Sequence, residues 1–192
     1  MKQKYVSFLI SFVVAVVLML LFRALVFAVY SLPGSGLEPQ FEAGDRVLVN
    51  RWSYGLRIGG NSLLGYSRLW RQPVERGDLV VINDPSDTLF SVTDRRILIV
   101  RCTAVPGDTV NNNGLMLVVP GRETCADGDY YWMTSLNAYS KPDSRDFGLV
   151  CEDHIIGCAS LVLYNHAPDR PLWDGWRTDR FFAAPGLNIN NK

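Results

Sequence analysis

The pattern of hydrophobic and polar positions divides the chain into one long apolar segment and a series of short ones. From Tyr5 to Phe22 the sequence reads YVSFLISFVVAVVLMLLF without a charged side chain, and apolar residues continue beyond Arg23 to Tyr30. About 18 such residues in a helix can cross the hydrocarbon of a bilayer. The alternative, a cleaved signal peptide, would have a shorter apolar core of roughly 7–15 residues. We therefore predict a transmembrane anchor and exit segment over residues 5–30.

The charges that flank this segment predict its orientation. Lys2 and Lys4 precede the apolar segment, and Arg23 is the only basic residue between it and Arg46. Cytoplasmic flanks of membrane helices carry an excess of lysine and arginine. Residues 1–4 are therefore expected in the cytoplasm, and residues 31–192 are expected on the outer side of the membrane.

The remainder of the chain consists of short apolar runs separated by turn residues. The runs read RVLVNRW, DLVVIND, RILIVRCTAV, LMLVVPG, YYWM and IIGCASLVLY. Runs of this length, with Gly, Pro, Asp and Asn between them, are typical of β-strands. The fold class predicted for residues 31–192 is therefore mainly β. Tight turns are expected at Gly44-Asp45, Gly77-Asp78, Gly107-Asp108 and the hairpin sequence Asn111-Asn112-Asn113-Gly114.

Two segments do not follow the strand pattern. The segment RIGGNSLLGYSRLWRQPVERGD is expected to be a loop that covers a core edge or touches lipid. The tail NHAPDRPLWDGWRTDRFF contains too many prolines and tryptophans for a simple helix. It is expected to form an aromatic strap over the barrel, with an interfacial membrane contact as the alternative.

The charge composition excludes one class of partner. The 19 basic and 19 acidic residues give a formal net charge of +0. A nucleic-acid-binding surface held by general electrostatic attraction needs a basic excess. We therefore expect no nucleic-acid partner.

The cysteines raise the questions of disulfides and metal. Outside the cytoplasm, Cys102, Cys125, Cys151 and Cys158 can form one or two disulfides, and the sequence does not choose among the three full pairings. Together with His154 and His166, two of the cysteines also mimic a zinc set. If GLVCEDHIIGCASLVLY is one strand, however, Cys151 and Cys158 point to opposite faces. No metal and no cofactor is predicted.

Four ordered motifs resemble the type I signal peptidases, membrane serine endopeptidases that remove signal peptides from exported proteins. The segment FRALVFAVYSLPGSGLEPQFEAGDRVLVNRWSYGLR is similar to the family's segment around its nucleophile. RGDLVVINDP resembles the strand that follows, RCTAVPGD resembles the segment with the general base, and KPDSRDFGLVCEDHIIGCA resembles the last signature. The resemblance implies a signal-peptidase-like β domain behind a single transmembrane helix, located at the cell (inner) membrane.

The residue at the family's nucleophile position is not a serine. Active members use a serine nucleophile and a neutral lysine base, because an unactivated serine hydroxyl is a weak nucleophile. The family pattern is proline, serine, glycine, serine, methionine, any residue, proline, and Pro33 and Pro39 have the same spacing. That register places Gly36 at the nucleophile position and Ser35 at the family's glycine. The nucleophile is therefore predicted to be lost.

The general base is predicted to be lost as well. Counted back from Pro106-Gly107-Asp108, the lysine position is Val100, which cannot accept a proton. Gly34 replaces a serine that often contributes to the oxyanion hole, and Lys141 replaces a small hydroxyl residue that orients the lysine. Asp143 and Arg145 match the family and are expected to form a structural ion pair.

One alternative keeps the chemistry at neighbouring positions. Ser35 could attack with Lys141 as the base, because Lys141 is the only lysine away from the termini. Successive side chains of an extended strand point to opposite faces, however, so Ser35 would point away from the groove that Gly36 lines. Pairing of Lys141 with Asp143 would raise the pKa of the lysine rather than lower it. A triad with His154 or His166 is less favoured still.

Peptide binding does not require the lost groups. The family binds its substrate as an added strand, with shallow pockets for small residues. By resemblance, the residues that line these pockets are Leu32, Pro33, Gly34, Gly36, Leu37, Phe41 and Ile99. Ordinary core packing is the alternative for Phe41 and Ile99. The expected partners are membrane lipid and either signal peptides or an active signal peptidase paralogue, and a β module with an unused groove is the remaining hypothesis.

Overall fold

The computed structural model describes residues 2–31, 41–59, 65–137, 142–167, 170–171 and 174–184. Helix α1 spans Lys2–Val26, a segment that contains neither glycine nor proline and therefore has no helix-breaking residue. Its large apolar side chains are exposed along most of its length, with Phe8 at 74% and Leu18 at 61%. When length, hydropathy and charge are judged together, no helix in these ranges qualifies as a membrane span.

The strands of the β domain follow α1 directly. They are β1 Phe27–Ser31, β2 Asp45–Asn50, β3 Leu56–Ile58, β4 Ser67–Leu69, β5 Leu79–Asn83, β6 Ile97–Ala104, β7 Thr109–Asn112, β8 Leu115–Val118, β9 Tyr130–Ser135, β10 Val150–Cys151, β11 Ile155–His166 and β12 Trp176–Arg177. A short helix, α2, spans Ser144–Phe147. Each apolar run of the sequence contains one of these strands, so the prediction of a mainly β domain is confirmed.

One antiparallel sheet carries most of the fold. Its strand order is β1-β2-β11-β5-β6-β9-β10, with β12 paired to β11. Strands β3 and β4 form a separate two-stranded ribbon, and β7 and β8 form a hairpin. The central position of β11 follows from its length, because this 12-residue strand pairs with both β2 and β5.

The core has one cluster on each face of the sheet, because successive side chains of a strand alternate. On β5, Val81 joins the cluster that contains Phe41 and Val162, whereas Val80 joins the cluster that contains Met133 and Val150. Both of these β5 side chains are 0% exposed. A third, smaller cluster of Ala104, Val119 and Trp132 lies under the β7–β8 hairpin.

The predicted hairpin turn lies where the sequence placed it. Asn113 has φ 53 and Gly114 has φ 89, in the tight turn between β7 and β8. Asparagine and glycine are the residues that tolerate such angles. The Asn111 side chain also accepts a hydrogen bond from the Gly114 amide at 2.8 Å, which stabilises the turn.

The structure adds a strand to the exit segment and corrects one loop prediction. β1 pairs with β2 over all five of its residues, so Phe27–Ser31 belongs to the sheet. RIGGNSLLGYSRLWRQPVERGD is also not simply a loop, because β3 begins at Leu56 and β4 ends at Leu69. Trp52 and Trp70 stack at 5.4 Å between ring centroids beside this ribbon.

The segment GLVCEDHIIGCASLVLY is likewise not one strand. A 3-10 turn at Glu152–His154 separates β10 from β11. Within this turn the Glu152 carboxylate, which is 6% exposed, forms salt bridges with Arg71 and Arg122. The argument that placed Cys151 and Cys158 on opposite faces of one strand therefore fails. All four cysteines are free thiols.

The aromatic tail packs against the sheet as a strap. Trp176 of β12 contacts Tyr164 and His166 of β11, with ring centroids 5.5 and 5.1 Å apart. The strap is fixed by Arg180, whose Nη2 lies 2.6 Å from Oδ2 of the buried Asp45. Aromatic packing on β11, together with the ion pairs of Arg180 with Asp45 and of Arg177 with Glu42, holds this segment on the sheet.

Candidate functional site

The predicted nucleophile segment lies outside the described residues. Leu32, Pro33, Gly34, Ser35, Gly36 and Leu37 fall within residues 32–40, and Lys141 falls within residues 138–141. The register of Gly36 and the Ser35/Lys141 alternative therefore stay predictions. The structure does describe the ends of the nucleophile segment, which are Ser31 at the end of β1 and Phe41 before β2.

Val100, at the predicted general-base position, is a core residue of β6. It pairs with Val80 on one side and with Ser135 on the other, and its side chain is 1% exposed. Its cluster contains Met133 and Ile155. An apolar side chain in this position offers no group that can accept a proton.

Ile99 and Phe41, two of the predicted pocket residues, lie on the opposite face of the sheet from Val100. Ile99 is 3% exposed and Phe41 is 0% exposed. Both belong to the cluster that contains Val47 and Val49, and Tyr30 packs against it. Their burial supports the core-packing alternative, so any peptide-binding surface here depends on residues around them.

Part of β6 lacks a strand partner on one side. On one side, β6 pairs with β5 from Ile97 to Arg101. On the other side, its pairing with β9 begins only at Val100, opposite Ser135. In the described part of the chain, Ile97–Ile99 therefore have no strand on the β9 side. β1 likewise pairs only with β2 among the strands described. Such edges can accept an added strand.

Asp143 and Arg145 form a close ion pair after β9. Arg145 Nη2 lies 2.6 Å from Asp143 Oδ2, and the Asp143 side chain is 0% exposed. The same carboxylate accepts hydrogen bonds from the Ser135 amide at 3.1 Å and the Arg145 amide at 2.9 Å, and it caps α2. Burial alone would raise the pKa of Asp143, but these donors hold it below its ordinary value. The pair joins α2 to β9.

A polar cleft near Val100 was not recognised from the sequence. The Tyr54 hydroxyl donates to Asp78 Oδ2 at 2.9 Å, and Cys158 lies in the same cleft of about 330 Å³. Burial raises the pKa of the Cys158 thiol, although a hydrogen bond with Tyr54 opposes this effect. The GD pair predicted a turn at Asp78, but no local signal indicates its contact with Tyr54, 24 residues away.

His154 is held by two neighbours and is not available as a base. Its Nε2 lies 3.1 Å from Nη1 of Arg95, and its Nδ1 lies 2.6 Å from Oδ1 of Asp153. Because a guanidinium can only donate, Nε2 is the acceptor and Nδ1 carries the proton. Burial raises the pKa of the neighbouring Cys151 to about 11, so this thiol is protonated at neutral pH.

These features define a class, that of signal-peptidase-like β domains, by the antiparallel sheet, the turns and the Asp143–Arg145 pair. A sequence profile described as "Signal peptidase, peptidase S26" matches residues 5–127. The chain belongs to this signal peptidase family. Because the match covers more than half of the chain, the resemblance found in the motifs is confirmed.

Three relatives illustrate the extent of the similarity. The chain is 24% identical over 190 residues to signal peptidase I V of Bacillus subtilis, covering 83% of this chain and 98% of that protein. It is 25% identical over 198 residues to signal peptidase IB of Staphylococcus aureus, covering 85% and 92%. It is 29% identical over 100 residues to signal peptidase I of Pseudomonas aeruginosa, covering 52% and 32%.

Proposed function

We propose that this chain is a signal peptidase family member that binds the cleavage region of exported proteins, or assists an active paralogue, without cutting the peptide. The proposal rests on Val100, which the motif register predicts at the position of the general base. Its side chain is 1% exposed among apolar neighbours. Serine peptidases of this class need a proton acceptor beside the nucleophile.

The composition of the β domain supports the absence of a replacement base. The four lysines of the chain are Lys2, Lys4, Lys141 and Lys192. Residues 41–137 and 142–184 therefore contain no lysine. His154 is engaged by Arg95 and Asp153. The unpaired edges of β1 and of Ile97–Ile99 support the binding part of the proposal, since an extended peptide can add to them.

We also propose that α1 places the protein at the cell membrane, with the N-terminus in the cytoplasm and the β domain outside. The support is the run of 18 residues from Tyr5 to Phe22 without a charge, together with the exposure of its large apolar side chains. An apolar surface of this size is typical of a lipid or protein contact. Retention of the chain in membranes washed at alkaline pH checks this placement.

The proposal is tested with a pre-protein that carries an Ala-x-Ala cleavage site. The detergent-solubilised wild type is expected to leave it intact, whereas the double variant Gly36→Ser/Val100→Lys is expected to regain measurable cleavage. Loss of a nucleophile in serine peptidases reduces turnover by about 10⁶. The matched control is Gly36→Ser/Val100→Met, which supplies the hydroxyl without a base and should stay inactive.

Two results would contradict the proposal. Wild-type cleavage that disappears in Ser35→Ala would show an active, displaced site. Failure of signal-sequence peptides to bind in calorimetry would remove the binding function and favour a structural β module. Binding without cleavage is the outcome that we expect.

A further inference from the structure

The β3–β4 ribbon places two arginines directly opposite each other. Arg57 and Arg68 are register partners in this antiparallel pair. Like charges in that relation destabilise a sheet unless an anion compensates them. Arg68 is 7% exposed, and its guanidinium donates to neutral oxygens, the shortest contact being 2.6 Å to the Ile155 carbonyl. Its positive charge is therefore solvated by carbonyl dipoles and not paired with a carboxylate.

One edge of the Arg57 guanidinium, in contrast to Arg68, has no hydrogen-bond acceptor among the described residues. Its Nε and Nη2 atoms are buried, and neither has a hydrogen-bond partner in the described part of the chain. Burial lowers the pKa of Arg57, the charge of Arg68 lowers it further, and Asp153 opposes both. The Asp153 carboxylate bonds His154 Nδ1 at 2.6 Å and forms no salt bridge with Arg57. Buried donors without acceptors are rare and point to a missing partner.

Arg57 lines a small cleft. The cleft has a volume of about 140 Å³, which exceeds what a single water needs. Its lining combines hydrogen-bonding side chains with an apolar floor and includes Tyr30, Arg51, Arg57, Asn83, Ile97 and Ile156. None of its described lining residues is acidic, so its character suits an anion.

The cleft lies beside the end of α1. Tyr30 is four residues beyond Val26, the last residue of the helix, and the Arg51 amide donates to the Val26 carbonyl at 2.8 Å. The stacked Trp52 and Trp70 flank the same ribbon. Tryptophan and arginine at the end of an apolar helix are typical of the headgroup region of a membrane.

We propose that the cleft around Arg57 binds the phosphate group of an anionic phospholipid. The proposal rests on the membrane placement of α1 proposed above. Nε and Nη2 share one edge of the guanidinium, and they can donate two parallel hydrogen bonds to two phosphate oxygens. The phosphate supplies the negative charge that the opposed arginines Arg57 and Arg68 lack.

The test uses the full chain in a neutral detergent and measures thermal stabilisation by short-chain phosphatidylglycerol, phosphatidylcholine and inorganic phosphate. Phosphatidylglycerol is expected to raise Tm in a saturable way, more than phosphatidylcholine does. Arg57→Gln should weaken its apparent affinity by about tenfold or more, the loss of a charge-assisted hydrogen bond. Arg46→Gln, at an exposed arginine of β2, is the matched control and should respond as the wild type does.

Stability without lipid provides the second readout. Arg57→Gln removes a partly buried charge whose Nε and Nη2 atoms have no acceptor among the described residues, so the lipid-free variant should be at least as stable as the wild type. A large loss of stability would assign Arg57 a structural role and overturn the proposal. Equal responses of Arg57→Gln and wild type to phosphatidylglycerol would overturn it too. If inorganic phosphate raised Tm and phosphatidylglycerol did not, the phosphate group bound by the cleft would not come from a lipid.

The result is independent of the cleavage and peptide-binding experiments. None of these lipid measurements involves a signal peptide. A protein that cleaves pre-protein but shows the Arg57-dependent lipid response would retain the lipid site and lose the proposed inactive function. A protein that binds signal peptides but lacks the Arg57-dependent lipid response would keep the proposed binding function and lose the lipid site.

Discussion

The two ends of β6 differ in what they share with the signal peptidase family. At its C-terminal end, Pro106-Gly107-Asp108 matches the family, and Asp108 accepts the Val105 amide at 2.9 Å and pairs with Arg76. In the middle of the strand, Val100, which the motif register predicts at the lysine position, packs in the core. The Asp108 carboxylate thus fixes the turn through the Val105 amide and Arg76, whereas Val100 contributes only apolar packing. If the proposed loss of the reactive groups is correct, the scaffold of the family has persisted without them.

The largest effect is expected from placing a charged side chain at Val100. Val100→Lys alone should lower the free energy of unfolding by about 3–5 kcal/mol at neutral pH, because it buries an ammonium without a partner. The loss should shrink as pH rises towards 10, since burial lowers the pKa of the folded-state lysine below its unfolded value. Chemical denaturation at several pH values measures both.

The matched control for that variant is on the same strand. Ile97 is 37% exposed, and Ile97→Lys should change stability by less than about 0.5 kcal/mol. Equal losses at the two positions would show that Val100 is not in a closed apolar environment.

The preserved scaffold is tested next, at Asp143. Asp143→Ala should cost about 3 kcal/mol, because it removes the α2 cap and leaves the Ser135 amide without its acceptor. The folded-state pKa of Asp143 is lowered, so its contribution is complete above pH 5 and is lost as pH falls through that pKa. The stability difference between wild type and variant should therefore narrow below about pH 4.

An exposed pair gives the comparison for Asp143. Asp174 pairs with Arg170 at 3.0 Å, and both side chains are about 60% exposed. Asp174→Ala should lower stability far less than Asp143→Ala does, because solvent screens the exposed pair. If Asp143→Ala and Asp174→Ala lowered the free energy of unfolding equally, the hydrogen-bond network of Asp143 would contribute no more than a surface ion pair.

The smallest effect is expected in the β7–β8 hairpin, which lies beyond the preserved turn. Gly114→Ala should cost about 1 kcal/mol, because φ is 89 although the space around it is open. Gly65 is also in open space but has no positive φ, so Gly65→Ala should be neutral or slightly stabilising. Thermal unfolding of the two variants separates backbone conformation from steric contact.

The strands of the main sheet were predictable because local signals agree. Short β-branched runs such as DLVVIND lie between turn residues, and the structure has β5 there. The β1 strand was hidden, because Phe27–Ser31 continues the apolar character of the helix before it. The break at Glu152–His154 was hidden as well, because Glu152 contacts Arg71 and Arg122, which are distant in sequence.

The candidate site was predictable only at the level of register. Counting from Pro106 identifies Val100, but its burial depends on strands that meet it from elsewhere in the chain. The opposition of Arg57 and Arg68 could not be predicted either, because the segment between them reads as a loop. Contacts between distant segments decide whether a polar side chain is paired, and a local pattern does not contain them.

The indole stack of the ribbon has a practical consequence. The two indole rings have centroids 5.4 Å apart and planes 15° apart. A change in the tryptophan signal that is present in the wild type and lost in Trp70→Phe therefore reports on this corner of the domain. Melting of the ribbon can be recorded without attaching any dye.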